Sequence, residues 1–224
     1  LSVIPAPVLA LAGKGAVNFH DGPLPRHAGL NAPVWAILEG EARHGITWHL
    51  MSGGVDEGEI VLQAMFDIAP DDTALTLNTR CFEAAVDSFP TLLRALEGGL
   101  PDRRVQDLSQ RSLHLRAARP PAAGRIDFAQ PASQALRLVR ALDHGTYWNP
   151  LTTAKIMAAG QILSVGSATL AEGRGAPGEI LHADSDGITV ACTTGALRLV
   201  RLTGPDGAPV SPVTLPRNPL PSPD

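Results

Sequence analysis

The sequence predicts an α/β protein, in which a core of alternating strands and helices is followed by a small β-barrel. In residues 16–61, an apolar strand, a turn rich in proline and glycine, a helix and a second strand follow one another. In residues 152–202, five short apolar segments are separated by glycine-containing turns, which is typical of a small barrel. Enzymes of the α/β class place site residues at the carboxyl ends of their strands, so we expect a site in the first region.

The first strand ends with the polar residues Asn18 and His20. Side chains alternate along a strand, so these two share a face while Phe19 points to the other. Asparagine supplies a neutral amide donor, and the imidazole of histidine titrates near neutral pH. The end of this strand is therefore a candidate reaction site.

A turn and a helix follow. The stretch 21–29 is rich in proline and glycine, which predicts a rigid turn. A helix is predicted from about residue 30 to residue 38, with Gly40 just past its end. His27 in the turn and His44 after the helix are expected at the surface.

The second strand of this region places Thr47 and His49 on one face. Gly53 and Gly54 permit positive φ, so a tight turn can bring Asp56 back toward the strand ends. A carboxylate beside an imidazole favours the protonated ring. Amide and imidazolium donors aimed at one point stabilise the oxyanion of a tetrahedral intermediate, and a carboxylate can accept a proton from an attacking amine. These residue types suit direct acyl or formyl transfer to an amine.

A metal site is the alternative for the same residues. His20, His49 and Asp56 could form a two-histidine, one-carboxylate ligand set. Asn18 would then have no role, so we favour the interpretation without a metal.

Several motifs of this region resemble those of the folate-dependent formyltransferase family. They are Asn18-x-His20, the P-L-P-R-x-x-G turn that starts at Pro23, the H-G-I-T-x-H strand and the G-V-D-x-G-x-I loop. Their order is that of the methionyl-tRNA formyltransferase group. The acidic residue after His20 and its flanking sequence are closer to formyltransferase-like domains of multidomain peptide synthetases.

The resemblance implies roles for individual residues. Asn18, His20 and Asp56 would transfer the formyl group of 10-formyltetrahydrofolate to an amine, without a metal. His49 would support Asp56, together with Thr47. The residues implied in folate binding are Val3, Ile4, Gly54 and Val55. Those of the acceptor loop are Pro25, Arg26 and Gly29, where Arg26 is either a loop anchor or an acceptor contact.

The resemblance also implies a domain plan. Residues 1–98 would form a partial doubly wound (Rossmann-like) core, 99–123 a linker, 124–212 an OB-like barrel and 213–224 a proline-rich tail. Only seventeen residues precede Asn18, so we expect an amino-terminally truncated core that is impaired as an enzyme on its own.

The remaining elements are predicted from periodicity. A long helix starts near Asp71, buries Cys81, and is kinked or restarted at Pro90. Residues 100–124 are expected to be an extended connection, in which 103–110 can pair as a strand. An amphipathic helix is predicted over 132–142. The predicted strands of the barrel are 152–158, 161–170, 177–183, 187–192 and 196–202.

Composition limits the partners. The formal net charge of −4 argues against a general nucleic-acid surface, although a local tRNA contact stays open. No run of about eighteen apolar residues predicts a membrane span, and we expect a cytoplasmic protein. The acceptor is an amine on tRNA or on a carrier protein, in the second case with other synthase domains as partners. Two alternative functions stay open: hydrolysis of 10-formyltetrahydrofolate, and a non-catalytic folate-binding or packing module.

Overall fold

The computed structural model describes residues 4–13, 15–100, 102–215 and 218–223. Its contacts divide the chain into two compact units, Leu1–Asp72 with Thr76–Ala118 and Thr73–Leu75 with Arg119–Asp224. Within the described ranges, no helix is long and apolar enough to cross a membrane.

The first unit contains most of the helices. In chain order its elements are α1 (Ala6–Leu9), β1 (Val17–His20), β2 (Ala28–Gly29), α2 (Ala32–Glu39), β3 (Arg43–Leu50), β4 (Ile60–Asp67), α3 (Ala74–Glu97), of which the first two residues belong to the second unit, and β5 (Leu113–His114). Helix α2 agrees with the prediction. It ends where Gly40 adopts φ of 71°, a conformation that favours glycine.

A three-stranded sheet in the order β1-β3-β4 positions the predicted site. Both pairings are antiparallel, and the register places Asn18 opposite His49 and His20 opposite Thr47. Residues opposite each other in an antiparallel pair share a face. The polar residues of β1 and β3 therefore meet on one side of the sheet.

The opposite side of this sheet packs against α3. Ile46 and Cys81 are fully buried there, as predicted for Cys81, and the rings of Phe19 and Trp48 contact each other at a tilt, with 5.3 Å between their centroids. The helix continues through Pro90 as one element of 24 residues, so the predicted restart does not occur. Four apolar side chains of α3 that share its helical spacing are exposed instead of buried, namely Phe82, Val86, Phe89 and Leu93.

The segment after α3 differs from its prediction as an extended connection. Residue Arg104 forms a backbone bridge with Ile60, and β5 pairs with β2 in parallel. Both partners lie more than forty residues upstream, a separation at which sequence periodicity gives no signal. Contacts therefore place residues up to Ala118 in the first unit, whereas the predicted domain boundaries stay a prediction.

The second unit is a five-stranded antiparallel sheet with one helix. It comprises α4 (Ala132–Ala141), β6 (Lys155–Ala158), β7 (Gln161–Ala171), β8 (Ile180–Ala183), β9 (Gly187–Ala191) and β10 (Ala196–Thr203), in the sheet order β6-β7-β10-β9-β8. All five strands were predicted within three residues at each end. The four-residue strands β6 and β8 form the two edges, so the predicted barrel is a curled half-barrel.

The chain end also differs from prediction. A proline-rich linker or disordered tail was expected after residue 212. Instead the Leu220 side chain is buried, and its N–H donates to the Gly178 carbonyl at 2.7 Å. The Ala129 N–H donates to Ser222 Oγ at 3.1 Å. A single apolar side chain among prolines gives no periodic signal, which explains why the sequence did not predict this docking.

Candidate active site

The structure brings the predicted residues Asn18, His20, His49 and Asp56 together. The Asp56 carboxylate lies between the two imidazoles: its Oδ2 is 3.6 Å from His20 Nδ1, and its Oδ1 is 3.4 Å from His49 Nε2. Asn18 Nδ2 lies 3.2 Å from His49 Nε2. Both imidazoles are buried, whereas the Asp56 side chain is 13% exposed. A small molecule can therefore reach the carboxylate.

The contacts of His20 decide which ring nitrogen can act. Nε2 lies 2.8 Å from the carbonyl oxygen of His27. A carbonyl only accepts, so Nε2 donates and carries a proton. The free nitrogen is Nδ1, which faces Asp56. When Nδ1 is also protonated, the ring is an imidazolium next to a carboxylate.

His49 is fixed in a similar way. Its Nδ1 donates to the Leu50 carbonyl at 2.9 Å, so in the neutral ring Nε2 is the acceptor for the Asn18 amide. The amide nitrogen has two hydrogens, and this contact uses one of them. The second hydrogen of Asn18 stays available as a donor to a bound molecule.

Hydrogen bonds hold both the carboxylate and the backbone carbonyl of Asp56. The Gly29 N–H donates to Oδ2 at 2.8 Å, and Gln106 Nε2 donates to the Asp56 carbonyl at 2.8 Å. Burial by itself raises the pKa of Asp56, but contacts with the His49 ring, the charge of His20 and the Gly29 N–H outweigh it and lower the pKa below its ordinary value. The carboxyl group is therefore ionised at neutral pH.

The turn that leads to Asp56 differs from its prediction. Positive φ was expected at Gly53 and Gly54, but neither adopts it; Asp56 itself has φ of 53°. Aspartate tolerates this conformation better than most residues. Gly58, two residues after Asp56, lies very close to the backbone of Leu50. A Cβ at this position would be only 1.7 Å from the Leu50 carbonyl oxygen.

A second carboxylate, Asp21, lies near the same nitrogen of His20 as Asp56. Its Oδ1 lies 3.8 Å from His20 Nδ1. Burial raises the pKa of Asp21, and the charge of His20 only partly offsets this. Asp21 and Asp56 thus have pKa values displaced in opposite directions beside one imidazole.

The other predicted residues lie at varying distances from this centre. Thr47 is fully buried, and it is hydrogen-bonded to the turn after His20. Its hydroxyl donates to the Gly22 carbonyl at 2.7 Å. Arg26 pairs with Glu39 and Glu41 at the surface, which agrees with a loop anchor. Pro25 lies partly buried in the same turn.

The residues predicted to bind folate are at the surface. Gly54 is exposed, Val55 is 38% exposed and Ile4 is 41% exposed. Val3 lies outside the described residues. The Val55 carbonyl accepts a hydrogen bond from Arg111 Nη2, and this contact anchors the loop. The apolar side chain of Val55 faces outward.

Sequence reasoning missed residues from the segment that follows α3. Gln106 holds the Asp56 loop, and Ser112 Oγ accepts the His27 N–H at 2.8 Å. His27 and His44, expected at the surface, are 1% and 0% exposed. Histidine has no strong preference for burial, so no signal marked these two. The alternation around Ser112 was the one local hint of a short strand.

The buried imidazole rings of His27 and His44 are largely neutral. Burial, with smaller effects from His44 and Arg26, lowers the pKa of His27 to about 3. Burial also lowers the pKa of His44 to about 4, although its hydrogen bond to the Asp21 carbonyl opposes this. Within the described ranges, His20, His49 and Asp56 are not grouped closely enough for one metal ion; the group that is comprises His27, Glu39 and His114.

Comparisons with known proteins give a formyl transferase match in each half of the chain. The family described as formyl transferase matches residues 1–93, and the family described as formyl transferase, C-terminal domain, matches residues 120–217. The methionyl-tRNA formyltransferase of Pseudomonas fluorescens is 38% identical over 208 residues, which cover 92% of this chain and 62% of that protein. That of Pseudomonas syringae pv. tomato is 36% identical over 210 residues, which cover 93% and 64%. The chain thus spans less than two thirds of the length of these relatives.

Two solved structures share the fold. HypX from Aquifex aeolicus has a TM-score of 0.72 at 22% identity, covering 92% of this chain and 36% of that one. An N-formyltransferase from Helicobacter canadensis, solved with folinic acid and dTDP-3-aminofucose, has a TM-score of 0.68 at 19% identity, covering 83% and 65%. At these identities the likeness extends to the fold alone.

Proposed function

This chain belongs to the formyl transferase family, and from that premise we propose that it transfers a formyl group from 10-formyltetrahydrofolate to a primary amine. The observation that supports this most directly is the Asp56 carboxylate, placed 3.6 Å from His20 Nδ1 and 3.4 Å from His49 Nε2. An ionised carboxylate, an imidazole and a free amide hydrogen then border one exposed point.

The proposed reaction is a direct attack of the amine on the formyl carbon. As the tetrahedral intermediate forms, negative charge develops on the formyl oxygen. Asn18 Nδ2 and protonated His20 Nδ1 donate hydrogen bonds to that oxygen, and each such donor contributes about 10²–10³-fold to the rate. Collapse of the intermediate breaks the bond between the formyl carbon and the folate nitrogen, which takes up the proton that Asp56 accepted from the attacking amine and leaves as the neutral secondary amine of tetrahydrofolate.

Asp56 has two roles in this proposal. Its carboxylate lies 3.6 Å from His20 Nδ1 and holds the ring that carries this donor in place. Its exposed oxygen accepts the proton that the attacking amine loses, and general base catalysis of this kind contributes about 10²–10⁴-fold. The lowered pKa of Asp56 keeps the acceptor form present at neutral pH.

The folate would bind against the loop of Gly54 and Val55, with Ile4 as a further apolar contact. The exposure of all three residues supports this, since a ligand can reach them. Val3 is part of the same proposal on the strength of the sequence resemblance.

The acceptor we propose is the amino group of methionyl-tRNA. Support comes from relatives of that name at 34–38% identity along most of this chain. A cytoplasmic location belongs to the same proposal, because aminoacyl-tRNA is consumed where translation takes place.

The test is a direct assay of both products. The full-length protein that contains this chain is incubated with 10-formyltetrahydrofolate and methionyl-tRNA, and mass spectrometry follows formyl-methionine and free formate. We expect formyl-methionyl-tRNA in step with tetrahydrofolate. Formate without a formylated amine would instead indicate hydrolysis, and folate binding without turnover would indicate a non-catalytic module. Transfer only to a carrier-bound aminoacyl thioester would contradict the tRNA acceptor while retaining formyl transfer.

A further inference from the structure

Three ligand-bearing side chains from separate elements meet behind the candidate active site. His27 precedes β2, Glu39 is the last residue of α2, and His114 is the last residue of β5. One nitrogen or oxygen atom from each of them lies within 4.8 Å of the other two. We refer to these residues as the HEH cluster; none of them has a role in the reaction proposed above.

One imidazole nitrogen on each histidine of the HEH cluster is buried without a hydrogen-bond partner. His114 Nε2 is buried without one and lies 3.7 Å from Glu39 Oε1, which is too far for a hydrogen bond. His27 is 1% exposed, and its Nδ1 is also buried without a partner. A buried polar atom left unpaired costs about 1–3 kcal/mol, so such atoms call for an explanation. A bound ion would be one.

The carboxylate of Glu39 is oriented for a ligand. Arg26 Nη2 donates to Oε2 at 3.2 Å, which leaves Oε1 directed at His114. The partners of a ligating carboxylate commonly fix its orientation in this way. Glu41 Oε1 lies 3.8 Å from His27 Nε2, so a second carboxylate borders the cluster. Two carboxylates and one guanidinium leave an excess of one negative charge, which favours a cation.

We propose that the HEH cluster binds a divalent transition-metal ion, with Zn²⁺ the best match. Zn²⁺ takes imidazole nitrogen and carboxylate oxygen at about 2.0–2.2 Å in a tetrahedron. Ligand atoms of such a tetrahedron are about 3.4 Å apart, close to the 3.7 Å between His114 Nε2 and Glu39 Oε1. Two histidines and one carboxylate leave the fourth position to water. Burial lowers the pKa of both His27 and His114, so both rings are in the neutral form that binds metals.

The position of the HEH cluster indicates a structural role. The His27 carbonyl accepts from His20 Nε2, and Gly29 pairs with His114 while its N–H donates to Asp56. An ion joining His27 to His114 would therefore fix the backbone that orients the two reacting side chains. It would not touch the reacting atoms.

The test is metal binding by the full chain without an affinity tag, after treatment with a chelator and dialysis. Titration calorimetry with Zn²⁺ should give one ion per chain. Titration with Co²⁺ should give the visible absorption bands of a four-coordinate nitrogen and oxygen site. The Trp35 ring stacks on His114 at 4.3 Å, so its fluorescence should change in the same titration.

Matched variants locate the ion. Glu39→Gln keeps the size of a side chain at the protein surface, and it should weaken binding by at least about tenfold. His114→Ala should abolish the Co²⁺ bands. His182→Ala, which changes an exposed histidine paired with Asp184 in the second unit, should leave binding unaltered.

Two results would overturn the site. One is the lack of saturable Zn²⁺ binding below about 1 mM, where affinity is only about 4 kcal/mol. The other is binding that survives Glu39→Gln and His114→Ala but is lost in Asp56→Asn, which would place the ion at the candidate active site. If His114→Ala does not fold, Glu39→Gln and Asp56→Asn still separate the two locations.

Discussion

At the scale of single residues, Asp56 joins the parts of the candidate site, since it contacts His20, His49 and the Gly29 N–H at once. Its partners come from the three strands β1, β2 and β3, so no short sequence motif contains the site. The alternation of side chains along the first strand predicted that Asn18 and His20 share a face, and the structure agrees. It could not predict that Asn18 bonds the ring of His49, because that contact depends on strand register.

The first prediction is that Asp56→Asn reduces formyl transfer by about 10²–10⁴-fold. The neutral amide cannot accept the amine proton, so the titrating Asp56 carboxylate is lost as a general base and the pH profile changes as well. Asn18→Ala removes one oxyanion donor and should cost about 10²–10³-fold with little change in the optimum. The measurement is a pH profile of kcat/KM for both variants; a wild-type rate in Asp56→Asn would contradict the assigned role.

The second prediction concerns Gly22, which follows the His20 strand. A Cβ at this position would lie 2.7 Å from His20 Nε2 and 2.9 Å from the Cβ of Ala32. Gly22→Ala should therefore displace the imidazole, at a cost of about 1–3 kcal/mol in the free energy of unfolding, and reduce kcat by at least about tenfold. Gly53→Ala is the matched control because nothing lies within 4 Å of its Cβ. Equal activity of the two variants would show that Gly22 does not position His20.

The third prediction is an acid-sensitive stability that depends on His44. This buried ring donates from Nε2 to the Asp21 carbonyl and lies near His20 and the His27 ring. Its pKa is about 4 when folded and 6.5 otherwise. Between these values the unfolded chain binds more protons, so stability falls as pH decreases, by up to about 1.4 kcal/mol per pH unit.

His44→Gln keeps an N–H donor for the Asp21 carbonyl but cannot take up a proton. We expect its urea midpoint to decrease less than that of the wild type between pH 7 and pH 5, in metal-free buffer. The comparison of the two proteins isolates His44 from the other groups that titrate. Parallel decreases in both proteins would contradict the assignment.

At the scale of elements, those marked by local sequence signals were predicted correctly, whereas pairings between distant segments were not predicted. Helix α2 and the five strands of the half-barrel have periodic apolar residues with glycine at their ends, so their bounds were predictable. Strand β5 has two residues and pairs with β2, 85 residues upstream. No propensity marks such a pair. Residues 100–124 were consequently predicted as an extended connection, although Gln106 within them holds the Asp56 loop.

The fourth prediction tests that brace. Gln106 is 7% exposed, and its Nε2 donates to the carbonyls of Asp56 and Gly58 at 2.8 and 2.6 Å. Gln106→Ala leaves two carbonyls without this donor, which should cost about 1–3 kcal/mol of stability. Gln110→Ala is the control, because Gln110 is an exposed residue of the same segment.

If Gln106 positions Asp56, its loss changes kcat and the pH profile together. A purely structural role would lower only the unfolding midpoint. Steady-state kinetics at several pH values, measured well below the unfolding temperature, distinguishes the two. An unchanged profile at reduced stability would exclude a positioning role.

At the scale of the whole molecule, the chain consists of two compact units, and the boundary between them, after Ala118, lies within the predicted linker of residues 99–123. The predicted linker began at residue 99, but the contacts of the first unit continue to Ala118. Arg104 is tied to Ile60 by backbone hydrogen bonds in both directions, and Arg111 pairs with Glu57. These contacts protect the first part of the predicted linker.

The last prediction follows from this protection. Trypsin should cut first after Arg116, which is exposed near the boundary, and more slowly after Arg103, Arg104 and Arg111. Cleavage requires local opening, and the backbone pairing of Arg104 with Ile60 makes opening there costly. Mass spectrometry of the early fragments measures the order of cutting. The fragment that follows the cut lacks only Thr73–Leu75 of the second unit, so we expect it to retain a strand-rich circular dichroism spectrum. A first cut within 17–50 or 180–203 would contradict the division into these two units.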